Sequence, residues 1–135
     1  MSQEPNIAAN LPPLERQVFL AVRSGGRVTV SAVADRLPST VPPLAYTTVM
    51  TMLTRLCNKG YLLRHQEGRA YVYEAPSEQD IGRELGGRAA RQALEKFGAP
   101  ALPGFVKSLS PEQRALVARL LEEGGGEDEK SQMPR

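Results

Sequence analysis

Apolar residues recur at three- and four-residue spacing along most of this chain and alternate in only one stretch. Leu14, Val18, Ala21 and Val22 make the stripe of a first helix, opened by Pro12-Pro13 and stopped by Gly25-Gly26. Phe19 and Leu20 lie off that stripe, so a second surface is expected to cover them. Val28 fits a very short strand. Val30, Val33, Ala34 and Leu37 make the inner side of a second helix, capped by Thr29 or Ser31 and ended by Pro38. The connector STVPPL is stiff, because Pro42 and Pro43 lack a donor and restrict their neighbours. A third helix is predicted from about Ala45 to Lys59, with Gly60 as its stop.

The period then changes. Leu62–His65 and Ala70–Glu74 read as two short strands around the turn QEGR, with Tyr71 and Tyr73 on one side and Val72 on the other. Beyond Pro76, Ser77 with Asp80 opens a helix carrying Ile81, Leu85, Ala89, Ala93 and Phe97 at helical spacing. Gly86-Gly87 inside it predicts a bend or a close helix crossing. APALPGFVKSL reads as a linker with one helical turn, and SPEQ is a strong start for a last helix bearing Leu116, Val117, Leu120 and Leu121. The expected architecture is mostly α: a winged helix-turn-helix of three helices and a two-stranded β-wing, followed by a C-terminal helical region. Its expected bounds are a flexible arm over 1–11, a winged-helix domain over 12–76, a helical dimerisation domain over 77–123, and a disordered tail over 124–135.

The third helix carries the informative pattern. On a wheel of ~100° per residue centred on Val49, Ala45, Leu53 and Leu56 fall within ~40° and Met52 within ~60°. Thr47, Met50, Thr51, Thr54 and Asn58 face away, with Thr48 and Arg55 just beyond and Tyr46 at the edge. Threonine is a mediocre helix former, because its branched side chain crowds the preceding turn. No acid occurs from Ala45 to Lys59. Threonine hydroxyls bond phosphate oxygens, threonine methyls contact the thymine methyl, and Arg55 reaches a phosphate, so the pattern suits a helix lying in a DNA groove. Threonines merely tolerated on a surface would look the same. Arg69 after the turn suits a wing touching backbone or minor groove, or serves only as a solubilising charge.

Composition limits the other readings. The chain has 135 residues, 41% of them apolar, and a formal net charge of +2. Residues 1–76 hold eight Lys/Arg against five Asp/Glu, so the first part is mildly basic, which permits DNA binding without demanding it. No run approaches the ~18 apolar residues of a membrane helix, and the start has no signal-like apolar region, as expected of a cytoplasmic protein. Cys57 is the only cysteine and His65 the only histidine. With no thiolate metal spacing, no phosphate loop and no acid partner for this pair, neither an enzyme nor a metal or other cofactor is expected.

TTVMTMLTRLCNKGYLLRHQEGRAYVYEA resembles the recognition helix and E-G-R-x-Y-x-Y wing of the BlaI/MecI/CopY penicillinase-repressor family. LPPLERQVFLAV resembles that family's first helix, and LSPEQRALVARLLEE, more loosely, its last. The resemblance covers about residues 11–123. It implies a homodimeric transcriptional repressor of operators with dyad symmetry, often with TACA/TGTA-like half-sites. Matching positions make Thr47, Thr48, Thr51 and Arg55 recognition-helix contacts, with Arg69 on the wing. Tyr46, Met50 and Thr54 complete the predicted DNA-facing set. Thr47 stands where relatives often carry a basic residue.

The resemblance also implies that C-terminal helices form the dimer. Two apolar strips cannot bury both faces against one another, so Ile81, Leu85, Ala89, Phe97, Phe105, Val106, Leu116 and Leu120 are the predicted dimerisation residues. The copper-responsive branch carries a C-terminal cysteine motif, which this chain lacks. The penicillinase branch is inactivated by cleavage in its C-terminal domain, commonly near an Asn-Phe pair. The nearest counterpart here is Gly104-Phe105, which equally suits a plain linker. If cleavage occurs, a membrane-bound sensor protease is a partner beside operator DNA. A protein-interaction winged helix and a ligand-sensing winged-helix regulator are the alternatives; the acid-free third helix favours DNA.

Overall fold

The structure, a computed structural model, describes residues 6–131, and of 125–131 the backbone alone. A 3-10 turn at Ile7–Asn10 leads into α1 (Pro13–Gly25), β1 (Arg27–Val28), α2 (Val30–Arg36), α3 (Tyr46–Lys59), β2 (Leu63–Glu67) and β3 (Ala70–Glu74). Three further helices follow: α4 (Glu78–Phe97), α5 (Ala101–Lys107) and α6 (Pro111–Ser131). The strands form one antiparallel sheet in the order β1-β3-β2. This is the expected winged helix, with the short strand at Val28 added to the wing as a third member. Among the described residues, no helix is long and apolar enough to cross a membrane.

The chain divides into two compact units, one ending at Arg88 and the other beginning at Ala89. The first holds the core. Val18 and Val22 of α1, Val33 of α2, and Val49, Leu53 and Leu56 of α3 are fully buried. The predicted inner stripes of these helices therefore meet, with Leu14, Ala34 and Leu37 half-buried at the margin. Phe19, off the α1 stripe, is covered by Tyr61 in an edge-to-face pair with ring centroids 5.6 Å apart. The Thr29 hydroxyl accepts from the Ala32 amide and caps α2.

The end of α3 is fixed with particular care. The Gly60 amide donates to the Cys57 carbonyl at 3.1 Å and the Tyr61 amide to the Leu56 carbonyl at 2.9 Å, the paired bonds of a Schellman motif. Gly60 takes φ +92, and a Cβ there would stand 3.1 Å from Leu85, so conformation and space both demand glycine. Lys59 reaches back 2.6 Å to Glu15 of α1, a carboxylate that is only 7% exposed. Arg88 donates to the Asn58 carbonyl at 2.7 Å, satisfying another carbonyl of the last turn.

Three expected bounds are corrected. The arm over 1–11 is not free where it is described: Ala8 and Leu11 are buried, and the Arg16 guanidinium donates to the carbonyls of Ala8, Ala9 and Leu11. Two apolar side chains and three charge-assisted bonds hold the segment on α1. The winged-helix unit does not close at Pro76. It takes in α4 as far as Arg88, because Ile81 is 1% exposed within the core and Arg23 pairs with Glu78 at 2.6 Å. The last helix does not stop at Glu123 but runs through the glycine run to Ser131; 132–135 lie outside the described residues. α4 is likewise continuous through Gly86-Gly87, and a Cβ at Gly86 would meet nothing, so no close crossing explains that residue.

The C-terminal elements begin as the sequence signals. Ser77 caps α4 through the Asp80 amide, and Ser110 and Gln113 close a reciprocal capping box at α6. The linker turn is longer than expected, a helix over Ala101–Lys107.

Because Ile81 completes the first unit's core, Ile81→Ala should lower that unit's stability by about 2–4 kcal/mol, the range for a truncated buried aliphatic. Phe97→Ala, an exposed site, should change it by less than ~0.5 kcal/mol. Urea unfolding of each variant, followed at the Tyr61 and Tyr73 region, checks the difference.

Candidate nucleic-acid interface

The buried stripe of Val49, Leu53 and Leu56 sets the rotation of α3, so its opposite face is solvent-facing. Tyr46, Thr47, Thr48, Met50, Thr51 and Arg55 are exposed there, and Thr54 is half-buried. All seven predicted helix contacts thus share one side of one helix. Its N-cap, Ala45, supplies no side-chain bond, and the Tyr46 and Thr47 amides open the helix without a side-chain partner. An uncapped N-terminus with no acid near it favours an anion.

The threonines fall into two kinds. Thr51 donates its hydroxyl to the Thr47 carbonyl at 2.9 Å, and Thr54 to the Met50 carbonyl at 3.0 Å. Their protons are engaged by the helix itself, so they show a methyl group and oxygen lone pairs outward. Thr47 and Thr48, in the first turn, have no such bond and keep a free donor for phosphate oxygen. The mid-helix pair thus presents methyls and acceptors, the N-terminal pair donors.

The wing supplies the second arm. β2 and β3 pair from Leu63↔Glu74 to Glu67↔Ala70, leaving a tight Gly68-Arg69 turn in which Gly68 takes φ +64. The turn is two residues, shorter than the QEGR expected, because Glu67 already pairs with Ala70. Arg69 projects from it, exposed. A cleft of about 330 Å³ joins wing to helix, lined by Tyr46, Met50, Arg69 and Tyr71 among others, with Ser31 of α2 at its edge. The structure therefore brings Arg69 beside Tyr46 and Met50, although it lies 23 and 19 positions after them in sequence.

Charges on the wing are sorted. Glu67, beside the turn, binds Arg27 at 3.2 Å, and Glu74, at the far end of the hairpin, binds His65 at 2.8 Å, so both acids of the wing are occupied. Among the described residues, Arg55 and Arg69 have no ion-pair partner and remain open to an anion. Sequence reading missed this pairing, and it missed Arg64, whose guanidinium lies 4.3 Å over the Tyr71 ring. The hairpin register holds the signal, since a residue opposite Tyr73 neighbours Tyr71 diagonally on the same sheet face. Tyr71 and Tyr73 share that face but not an environment: Tyr73 is 1% exposed and Tyr71 43%. Burial pushes the Tyr73 phenol up, with Arg64 pulling it back through a hydrogen bond and its charge. Burial also raises the Cys57 thiol, which Arg64 partly offsets, so Cys57 is a protonated thiol beside the core near neutral pH.

The predicted dimerisation residues separate into two groups. Ile81 is closed inside the first unit and Leu85 packs half-buried against the same core, so intrachain packing accounts for both. At 1% exposure Ile81 has no surface left for an interface, which corrects its assignment there. Ala89, Phe97, Phe105, Val106, Leu116 and Leu120 belong to the second unit and are exposed. Leu94, Leu102 and Leu121 add to that apolar surface and were not in the predicted set.

The back-bonded geometry of Thr51 gives a specific expectation. Thr51→Val, which keeps the methyl, should preserve the preference for a thymine-bearing site. Thr51→Ser and Thr51→Ala should lose about 1–3 kcal/mol of discrimination at one base pair. Competition binding with singly substituted DNA duplexes checks it.

The penicillinase repressor family model matches residues 11–123 of the chain. No curated protein sequence matches it. Among solved structures, TrmBL2, an archaeal chromatin protein, is similar at TM-score 0.51 and 16% identity, over 77% of this chain and 41% of that one. The chain thus spans less than half the length of TrmBL2, and the likeness is one of fold. BpsR of Bordetella bronchiseptica (TM-score 0.44, 18% identity, 85% of this chain and 76% of that one) and a mutant MarR of E. coli (0.44, 16%, 85% and 78%) are further matches.

Proposed function

The chain belongs to the penicillinase repressor family of DNA-binding regulators, and from that premise we propose that it represses transcription as a homodimer bound to a dyad-symmetric operator. The observation that carries the proposal is the exposed, acid-free threonine face of α3, running into the unpaired Arg69 of the wing. Thr51 and Thr54 read base edges in the major groove. Thr47, Thr48 and Arg55 hold phosphates, and Arg69 holds the backbone beside the groove. Tyr46 and Met50 fill the space between helix and wing.

Dimerisation is supported by the second unit's surface. Phe97, Phe105, Leu120 and Leu121 are each more than half exposed, and no residue from Ala89 to Gly124 is buried. A second copy covering this surface would place two recognition helices on successive major grooves, ~34 Å apart. Release follows an inducing signal. Cleavage at Gly104-Phe105 by a membrane-bound sensor protease is one route, and that bond lies inside the seven-residue α5 with Phe105 exposed. Such a short helix unwinds at low cost, as entry into a protease site requires.

Fragmented genomic DNA retained by the full chain at ~150 mM salt, where non-specific binding is suppressed, should be enriched in one dyad-symmetric sequence. Recovery of unrelated fragments alone would refute operator recognition. Phe97→Glu combined with Leu120→Glu should yield a monomer in sedimentation and weaken operator binding by ~100-fold or more through lost avidity. Arg55→Ala should weaken all DNA sequences about equally and reduce the salt slope of log K by about 1.

A further inference from the structure

The hollows of the described surface include three of a few hundred cubic ångströms each. One, of about 550 Å³ along Ala89–Phe97, belongs to the apolar face already assigned to the dimer. Another, of about 400 Å³ under Pro38–Leu44, is walled by aliphatic and proline side chains with only Ser39 to orient a ligand. The third is the cleft of about 330 Å³ between α3 and the wing, and its walls differ in kind.

Four large apolar residues are exposed in the first unit: Tyr46, Met50, Leu63 and Tyr71. Three of them line this one cleft, together with the edge of Tyr73. Two exposed phenol rings and a thioether are a poor match for a phosphodiester, which brings anionic oxygens and bound water. They are a good match for a flat ring, which stacks on phenol faces and meets polarizable sulfur at its edge. The cleft holds one cation, Arg69, which has no ion-pair partner among the described residues. A guanidinium fork suits a carboxylate in bidentate geometry. Arg64, which does not line the cleft, holds the Tyr71 ring at 4.3 Å and keeps that wall in place. The volume is at the small end for ligand sites, so the occupant is one or two fused rings rather than a drug-sized molecule.

We propose that this cleft binds a small planar aromatic carboxylate, its ring between Tyr46, Met50 and Tyr71 and its carboxylate on Arg69. Tyr46, Met50 and Arg69 are also the residues given above to DNA, so the acid and the operator exclude one another. The cleft is then an effector site inside the DNA-reading surface, and it releases DNA without cleavage of the chain. The exclusion rests on the operator-binding proposal; the binding of the acid does not.

The two are tested separately. Calorimetry and amide chemical shifts of the free full-length chain, titrated with 2-naphthoate, should show saturable binding below ~1 mM with shifts centred on Tyr46, Met50, Arg69 and Tyr71. 2-Naphthamide, which lacks the carboxylate, should bind at least 10-fold more weakly, and so should 2-naphthoate to Tyr71→Ala. No saturation, equal binding of the amide, or shifts confined to the second unit would overturn the site. A gel-shift titration on the recovered operator fragment then reads the exclusion. Rising 2-naphthoate should displace DNA in the wild-type chain, whereas a stable complex holding both ligands would overturn it. Failure to recover any operator fragment would count against operator binding alone and leave the naphthoate result intact.

Discussion

Every functional feature of the first unit depends on the rotation of α3 about its own axis. Val49, Leu53 and Leu56 are fully buried against α1 and α2, and successive residues on a helix are ~100° apart. A shift of one residue would carry threonines into the core and push leucines into solvent. The Schellman bonds at Gly60, the Lys59–Glu15 pair and the Arg88 bond to Asn58 add an axial lock to that rotational one. The outward face is thereby held on a rigid element, which a base-reading surface requires if contacts are to fall within hydrogen-bond distance.

On the proposed DNA-reading role, that rigidity gives the threonines a reason beyond tolerance. A hydroxyl returned to the i−4 carbonyl slightly weakens a helix, yet Thr51 and Thr54 both adopt it. The arrangement fixes each methyl group and removes the need to strip water from a free donor on binding. Alanine would favour the helix more and present less to a base edge; glutamate or lysine would hold a duplex away or bind it without discrimination. The sorting of charge has the same sense. Glu67 and Glu74 are tied to Arg27 and His65, while Arg55 and Arg69 stand open on the side where phosphates would approach.

The helices and wing were legible in the sequence because their signals are local. The α3 stripe, the hairpin alternation, the caps at Thr29, Ser77 and Ser110, and the stop at Gly60 each occupy fewer than about five consecutive turns. The site was legible to the same extent: the exposed face of α3 follows from its stripe alone. What escaped was set by contacts distant in sequence. Nothing near Glu15 announces that it will be buried under Lys59, 44 positions on. Nothing near Ile81 says that an amphipathic strip will spend its first half on the winged helix. The strip from Ile81 to Phe97 reads as one face, but only its first part, as far as Arg88, belongs to the first unit. The cleft beside the wing was invisible for a related reason, since the turn at Gly68 is one pair tighter than composition suggests, and that register sets where Tyr71 and Arg69 fall.

The division at Arg88 bears on how such a regulator can work. The first unit has a closed core of its own, including the first three turns of α4, so losing the second unit leaves its apolar residues covered. The second unit, from Ala89 onward, has no buried residue among those whose side chains are described, and it exposes leucines and phenylalanines. Of its helices α6 is capped by Ser110 and Gln113 and α5 has no side-chain N-cap, and helices with little to pack on are marginal in water. On the proposed dimer, stability of the second unit would be tied to association in a way that the first unit's is not. On the dimeric reading, a signal that opens α5 acts on the weaker unit, and the reading head is switched by losing its partner rather than by being unfolded. An acid in the cleft would act on the same equilibrium from the other end, by occupying the DNA face of an intact dimer.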